Sequence, residues 1–290
     1  YYGAKIPDTY VPDRECLAPC ASFSPANPVI GEHGFSPDSA PMEYGTNGAG
    51  DFRISALAVR NSNGDSVTDI RYTGHKIYKG KPEIPGQPST YANSEDEAET
   101  LELYVEDAVT GLKITLYYTV FENYGVMTRR MRAENNGDGI LELERIFSLC
   151  LNLPSMDYDL ITLYGRHAKE RNIERKALAH GVQGVESRRG ASSHCQNPFA
   201  ALAGKNADEN NGEVYGFNLV YSGNFSALCE CDFNYTSRFI MGINPTDFGW
   251  RLQKGECFDT PEAVMVYTEN GIGEMSRIFH RFYRRHLIRG

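Results

Sequence analysis

Residues 101–120 read LELYVEDAVTGLKITLYYTV, and their alternation decides the fold. Leu101, Leu103 and Val105 fall on one side of an extended chain, and Glu102, Tyr104 and Glu106 on the other. A period of two marks a half-buried strand, because successive side chains leave opposite faces of the pleat. Gly111 turns the chain, and residues 113–120 answer as a second strand rich in β-branched and aromatic side chains. Working outward, VMTRRMRAENN (126–136) and ILELERIFSLCLNL (140–153) continue the pattern, with Asn136-Gly137 and Asp138-Gly139 as hairpin signals between them. On the N-terminal side, DSVTDIRYTGHKIYKGK (65–81) reads as a strand with Gly74 at a bulge, followed by a proline-rich loop at 82–93. Residues 95–107 carry seven acidic side chains and no basic one, which reads as a solvated sheet face or, as the alternative, a partner for the arginine-rich stretch further on.

The same rhythm continues to residue 268. ITLYGRHAKERNIERKALAHGVQGVESRRG (161–190) reads as strands, although Ile173, Lys176 and His180 have a weak helical spacing. GFNLVYSGNFSALCECDFNYTSRFIMGIN (216–244) and FGWRLQKGECFDTPEAVMVYT (248–268) are strand, turn and strand again. Strands spaced by roughly ten residues predict an all-β fold, a large antiparallel β-sandwich or supersandwich. The one convincing helix is last. In GIGEMSRIFHRFYRRHLIRG (271–290), Met275, Ile278, Phe279 and Phe282 follow i, i+3, i+4, i+7, and Arg284, Arg285 and His286 fall in the last turn. We therefore read residues 1–272 as the sandwich and 273–290 as a linker helix. That helix either docks on its own domain or leads into another. Residues 1–45 hold seven prolines and predict loops with short strands.

Composition narrows the function. The chain has 290 residues, a formal charge of -9 and a pI near 5.3, a balance that argues against nucleic acid as a partner. No run of about eighteen apolar residues is present, so no membrane is expected. Seven scattered cysteines fit reduced thiols and a cytoplasmic location better than a disulfide framework. Cys16/Cys20 and Cys229/Cys231 lack the spacing of a zinc site, so no metal and no cofactor is expected. The chain begins without Met, which suggests a processed or excised piece.

Two stretches stand out for chemistry. In MEYGTNGAGDFR (42–53), Gly45, Gly48 and Gly50 make a flexible turn ending in Asp51. No Lys-Ser/Thr and no helix follow, so this is not a phosphate cradle. It is a hairpin loop, or a loop tip where glycines hold the Asp51 carboxylate out to accept hydrogen bonds from sugar hydroxyls. Residues 165–202 carry seven Lys/Arg (Arg166, Lys169, Arg171, Arg175, Lys176, Arg188, Arg189) against three Glu. Inside an acidic protein these cations are either tied into carboxylates or offered as forks to a ligand. Arg189 precedes Gly190 in a turn-forming sequence, which places its fork at a loop edge. Ser192, Ser193 and His194 adjoin in sequence, which does not make a triad, and no G-x-S-x-G elbow is present. His167 and His194 read as ordinary turn histidines. Trp250 alternates within a strand and reads as sheet-face packing rather than a sugar platform. A glycosidase needs two carboxylic residues flanking the bond, and Asp51, Asp65, Asp69, Asp232 and Asp247 all sit at ordinary turn signals. No catalytic residue is assigned.

A set of motifs resembles one family. EYGTNGAGDFR (43–53), RHAKER (166–171), SRRGASSHCQNPF (187–199), GW-x-L-x-x-GE-x-F-x-TPE (249–262) and FYRRHLIRG (282–290) look like the N-terminal domain of family 36 α-galactosidases, from about residue 42 onward. The resemblance implies a β-sandwich that precedes a (β/α)₈ catalytic barrel carrying both catalytic Asp residues. Neither of those lies in this chain, so the segment alone is expected to be inactive. It further implies assembly with the chain's own barrel and other subunits into a homo-oligomer, a tetramer. The substrates implied are α-galactoside oligosaccharides such as raffinose or melibiose. Asp51 and Arg189, less certainly Arg188, are implied as galactoside contacts. The rival is a stand-alone carbohydrate-binding sandwich.

Overall fold

The computed structural model describes residues 2–4, 37, 40–48 and 50–289. The loop-rich expectation for residues 1–45 therefore falls largely outside the described residues, as do Cys16 and Cys20. Sixteen strands form two antiparallel sheets among the described residues. One sheet orders β1 (Leu57–Arg60), β6 (Leu141–Leu153), β13 (Ser237–Ile243), β12 (Phe225–Cys231) and β9 (Gly181–Glu186), with β14 (Trp250–Leu252) also on β6. The larger sheet orders β2 (Arg71–Lys79), β3 (Glu99–Asp107), β4 (Leu112–Phe121), β5 (Val126–Asn135) and β16 (Glu262–Thr268). It continues through β11 (Val214–Val220), β10 (Gln196–Gly204), β7 (Tyr158–Arg166) and β8 (Lys169–Ala177), with β15 (Cys257–Asp259) on β5. The predicted all-β sandwich is the fold. The stretch that carried the weak helical spacing is strand β8. The bulge expected at Gly74 is a register shift between Tyr72 and Gly74.

Two apolar clusters fill the space between the sheets. One gathers Leu149, Phe217, Phe225, Phe239 and Met265, and the other Leu57, Ile114, Met131, Phe147 and Ile240. Phe217 of β11 stacks on Phe239 of β13 with ring centroids 4.1 Å apart, one from each sheet. Such a pair is worth more than its buried area.

The larger sheet is covered on its other side too. Helix α1 (Gly271–His286) buries Met275, Ile278, Phe279 and Phe282 against Ile161, Ala203, Val214 and Val266. That double burial explains why β11 and β16 are nearly continuous apolar runs rather than alternating ones. Gly216 is the contact point: a Cβ there would lie 2.6 Å from the Met275 sulfur. The helix docks on its own sandwich, as the first of the two expectations had it. No helix among the described residues is long and apolar enough to cross a membrane.

Candidate functional site

The glycine loop before β1 ends in a buried ion cluster. Gly45 accepts backbone hydrogen bonds from Ala56 and Leu57, so the chain from 46 to 54 must loop out and return. At its turn the Asp51 side chain is 1 % exposed. Its Oδ1 accepts the Arg53 backbone N–H at 3.1 Å and Nε at 2.9 Å. Its Oδ2 accepts Arg53 Nη2 at 3.2 Å and Arg238 Nη2 at 2.5 Å. Arg53 also donates to the carbonyls of Pro37 and Ala40, and Arg238 to Asn152 Oδ1 and the Ile54 carbonyl. Glu230 Oε2 accepts the Ile54 N–H at 2.5 Å, and Asp232 lies 4.0 Å from Arg53.

The glycines therefore do not hold Asp51 out at a tip. Two buried guanidiniums must be compensated where water is excluded, and the carboxylate turns inward to do it. Phe52, between the two paired residues, points outward and is 72 % exposed. Arg238 escaped the sequence reading because it is a lone arginine in the strand SRFIMGI, with no motif around it.

The second predicted site residue, Arg189, stands at the other end of the same sheet. After β9, Ser187 N–H donates to the Phe225 carbonyl and its hydroxyl to the Ala191 carbonyl. Gly190 takes φ +79° and donates its N–H to Asn224 Oδ1 at 2.7 Å. Ser192 N–H reaches the Ser222 carbonyl at 2.8 Å. The turn is thus fixed by its backbone. Arg188 folds back on Glu186 at 2.5 Å, while Arg189 is exposed and makes no ion pair or hydrogen bond among the described residues. The loop-edge placement expected for Arg189 is the one found.

One chain does not bring Asp51 and Arg189 together. Arg238, which holds Asp51, pairs with Glu230. Gly190 hangs from Asn224, which lies six residues back along the chain through β12. At about 3.3 Å per residue that is roughly 20 Å of strand.

The other arginine-rich positions divide. Arg175 is tied to Asp159 at 2.8 Å and to the Ala207 carbonyl, and Lys176 to Glu174. Arg166, Lys169 and Arg171 have no such partner among the described residues. Among the described residues the buried carboxylates are all occupied: Asp107 by the Asp69, Val109 and Thr110 N–H groups, Asp232 by Asn234 and Thr236, and Glu262 by Lys81 and Thr90. These are structural caps and ion pairs, not an acid–base pair across an open cleft. Ser192 and Ser193 bond to backbone, not to His194. Trp250 lies half exposed on the sheet face against Phe258, as read.

A cleft of about 1370 Å³ opens near the Asp51 end, with Glu43, Arg53, Tyr118, Arg129 and Asn152 among its walls. Arg129 donates to the Tyr118 hydroxyl at 2.8 Å and to Glu43, and Tyr118 donates to Glu43. Burial raises the Tyr118 pKa and keeps the hydroxyl protonated, a bias that the Arg129 charge opposes and the Glu43 carboxylate reinforces.

This fold and these motifs have counterparts. The profile of the Glycosyl hydrolase family 36 N-terminal domain matches residues 1–253, and that of Melibiase matches 257–290. The chain belongs to the glycosyl hydrolase family 36 N-terminal domain family. It is 53% identical over 269 residues to alpha-galactosidase AgaA of Geobacillus stearothermophilus, a match that takes in 93% of this chain and 37% of that protein. It is 38% identical over 267 residues to alpha-galactosidase Mel36A of Lactobacillus acidophilus, over 92% of this chain and 36% of that one. A crystal structure of an AgaA variant in complex with raffinose superposes with TM-score 0.96 at 50% identity, over 100% of this chain and 40% of that chain. The chain thus spans well under half the length of these relatives. The boundary between the two profiles does not coincide with the sandwich. β15 and β16 fall in the Melibiase match, yet both pair with β5 inside the larger sheet.

Proposed function

We propose that this chain is the non-catalytic N-terminal part of an α-galactosidase that hydrolyses terminal α-D-galactosyl residues of raffinose- or melibiose-type oligosaccharides. The match over nearly the whole chain to relatives named as α-galactosidases carries the reading. The occupied state of every buried carboxylate among the described residues supports placing the bond-breaking pair elsewhere in the protein. In this reading residues 1–272 are the sandwich, and 273–290 lead toward a (β/α)₈ barrel. The whole enzyme is a cytoplasmic homo-oligomer, a tetramer, and the free thiols Cys150, Cys229 and Cys231 suit a reducing compartment.

Both site residues serve the galactoside, in different ways. Arg189 presents an unpaired guanidinium that can donate two parallel hydrogen bonds to sugar oxygens. Asp51 acts through its loop. A sugar hydroxyl would have to displace a guanidinium from it, so its main effect is to set the positions of Phe52 and Arg53. Because the two ends lie roughly 20 Å apart, one sugar ring meets both only if two copies contribute.

The test is an assay of p-nitrophenyl α-galactoside turnover. Protein from the whole gene is expected to be active and residues 1–290 alone to be inactive. Turnover by 1–290 alone would overturn the assignment of the catalytic pair to other polypeptide.

A further inference from the structure

Five asparagines in the chain are followed by glycine: Asn47, Asn63, Asn136, Asn211 and Asn270. An Asn–Gly pair can react with itself. Glycine has no side chain to shield its backbone nitrogen, so that nitrogen can close on the preceding side-chain amide. All five asparagines are exposed, so exposure does not rank them. The glycine that follows each one does.

At four of the pairs the glycine is clamped. A Cβ on it would lie 2.9 Å from the Val67 Cα at Gly48 and 2.1 Å from the Thr110 carbonyl oxygen at Gly137. It would lie 2.5 Å from the Ala207 Cα at Gly212 and 2.5 Å from the Asp208 carbonyl oxygen at Gly271. Gly137 also donates its N–H to Asn135 Oδ1, Gly212 to the Glu269 carbonyl and Gly271 to the Gly212 carbonyl. Gly64 differs. Nothing lies within 4 Å of a Cβ there. Its N–H donates to the Asn61 carbonyl at 2.9 Å, inside the same exposed turn after β1, where opening is easiest. The Asn63 side chain is curled over it. Its Oδ1 accepts the Asp65 N–H at 3.2 Å, and its Nδ2 donates to Asp65 Oδ2 at 2.5 Å. Both ends of the amide thus reach residue 65, which holds its carbon over the Gly64 peptide in between. The N–H donated to Oδ1 also draws electrons from that carbon and readies it for attack.

We propose that Asn63 is a site of spontaneous deamidation, the first of the five to convert in the folded protein. The Gly64 nitrogen gives its proton to hydroxide and attacks Cγ of Asn63. A bond forms between them, the Cγ–Nδ2 bond breaks, and ammonia leaves with a proton taken from water. Water then opens the five-membered imide at either carbonyl, which leaves aspartate or isoaspartate. Nothing is oxidised or reduced. The product puts a second carboxylate where a donor to Asp65 stood. Of the two side-chain amides that hold Asp65, that of Asn61, at 2.7 Å, remains. The turn is joined to the glycine loop of Asp51, because Thr68 N–H donates to the Asn47 carbonyl at 3.0 Å and Asn47 Nδ2 to the Ser66 carbonyl at 3.1 Å. The change therefore falls on the support of that loop.

The experiment is peptide mapping by mass spectrometry on protein expressed from its whole gene, aged at mildly alkaline pH in buffer and, in parallel, in urea. Each Asn–Gly peptide gives a rate of conversion, and the ratio of folded to unfolded rate removes differences in local sequence. That ratio is expected to be highest at Asn63, by about fivefold or more over each of the other four. Asn63→Gln, whose longer side chain closes a six-membered ring far more slowly, is expected to remove the first acidic species seen on ion exchange. An Asn63 ratio no higher than that of any clamped pair overturns the proposal. So does a first acidic species that forms equally fast in Asn63→Gln.

Discussion

The Asp51 loop and the Arg189 loop begin from the same recipe, a charged residue beside glycines in a turn, and end in opposite states. At the first, four donor contacts from two arginines close over the carboxylate. At the second, hydrogen bonds from Ser187, Gly190 and Ser192 hold the backbone while the guanidinium stays free. A charged residue in a glycine turn is therefore not evidence of a site until its partners are known. What separates the two is the supply of opposite charge nearby. The Asp51 end has Arg53 and Arg238 within bonding distance, while beside Arg189 in the chain the Glu186 carboxylate is taken by Arg188.

The largest effect that can break this contrast is on stability. Asp51→Ala leaves the buried Arg238 guanidinium without its carboxylate and Arg53 with only the more distant Asp232, and is expected to cost about 3–5 kcal/mol in urea unfolding. A loss near zero would mean that the cluster is open to water and the two ends are alike. Glu230→Ala strands the Ile54 N–H and is expected to cost about 1–3 kcal/mol by the same measurement.

Next comes Gly190→Ala. No atom lies within 4 Å of the added Cβ, so only the left-handed backbone is strained, at about 1–2 kcal/mol. Its thermal midpoint should fall by less than that of Asp51→Ala.

Acid unfolding adds a further contrast through Asp159. Burial pushes its carboxyl upward, but hydrogen bonds and charge from Lys205 and Arg175 outweigh this and hold it below its ordinary 3.8. A depressed folded value means stabilisation that is present above the ordinary value and lost as pH falls through the folded one. Unfolding midpoints are therefore expected to drop below about pH 4, and Asp159→Asn to flatten that drop. Smallest of all, Arg189→Ala should change stability by less than about 0.5 kcal/mol, as for an exposed unpaired side chain.

Much of the fold was legible because the strands obey a simple period. LELYVED, Gly111 and the answering strand give β3 and β4 with their turn, and the Met275–Phe282 spacing gives the helix. In β11 and β16, covered on both faces, no alternation survives, and they were legible as strands from the turn signals that bound them. The weak helical spacing in β8 is the opposite case, an exposed edge strand whose pattern no core enforces.

The loop-edge exposure of Arg189 was legible because it is a local property. The inward turn of Asp51 was not, because it depends on Arg238, 187 residues away in sequence and in a strand without a motif.

We propose that the free guanidinium at one end is lent to a sugar site, while the buried carboxylate at the other end serves that site only by holding its loop. It is tested most directly by the kinetics of Arg189→Ala in protein from the whole gene, with raffinose as substrate. The account predicts a fall of about tenfold or more in kcat/KM, the size expected for losing one charged hydrogen bond, with an unchanged thermal midpoint. A kcat/KM within twofold of wild type would contradict it.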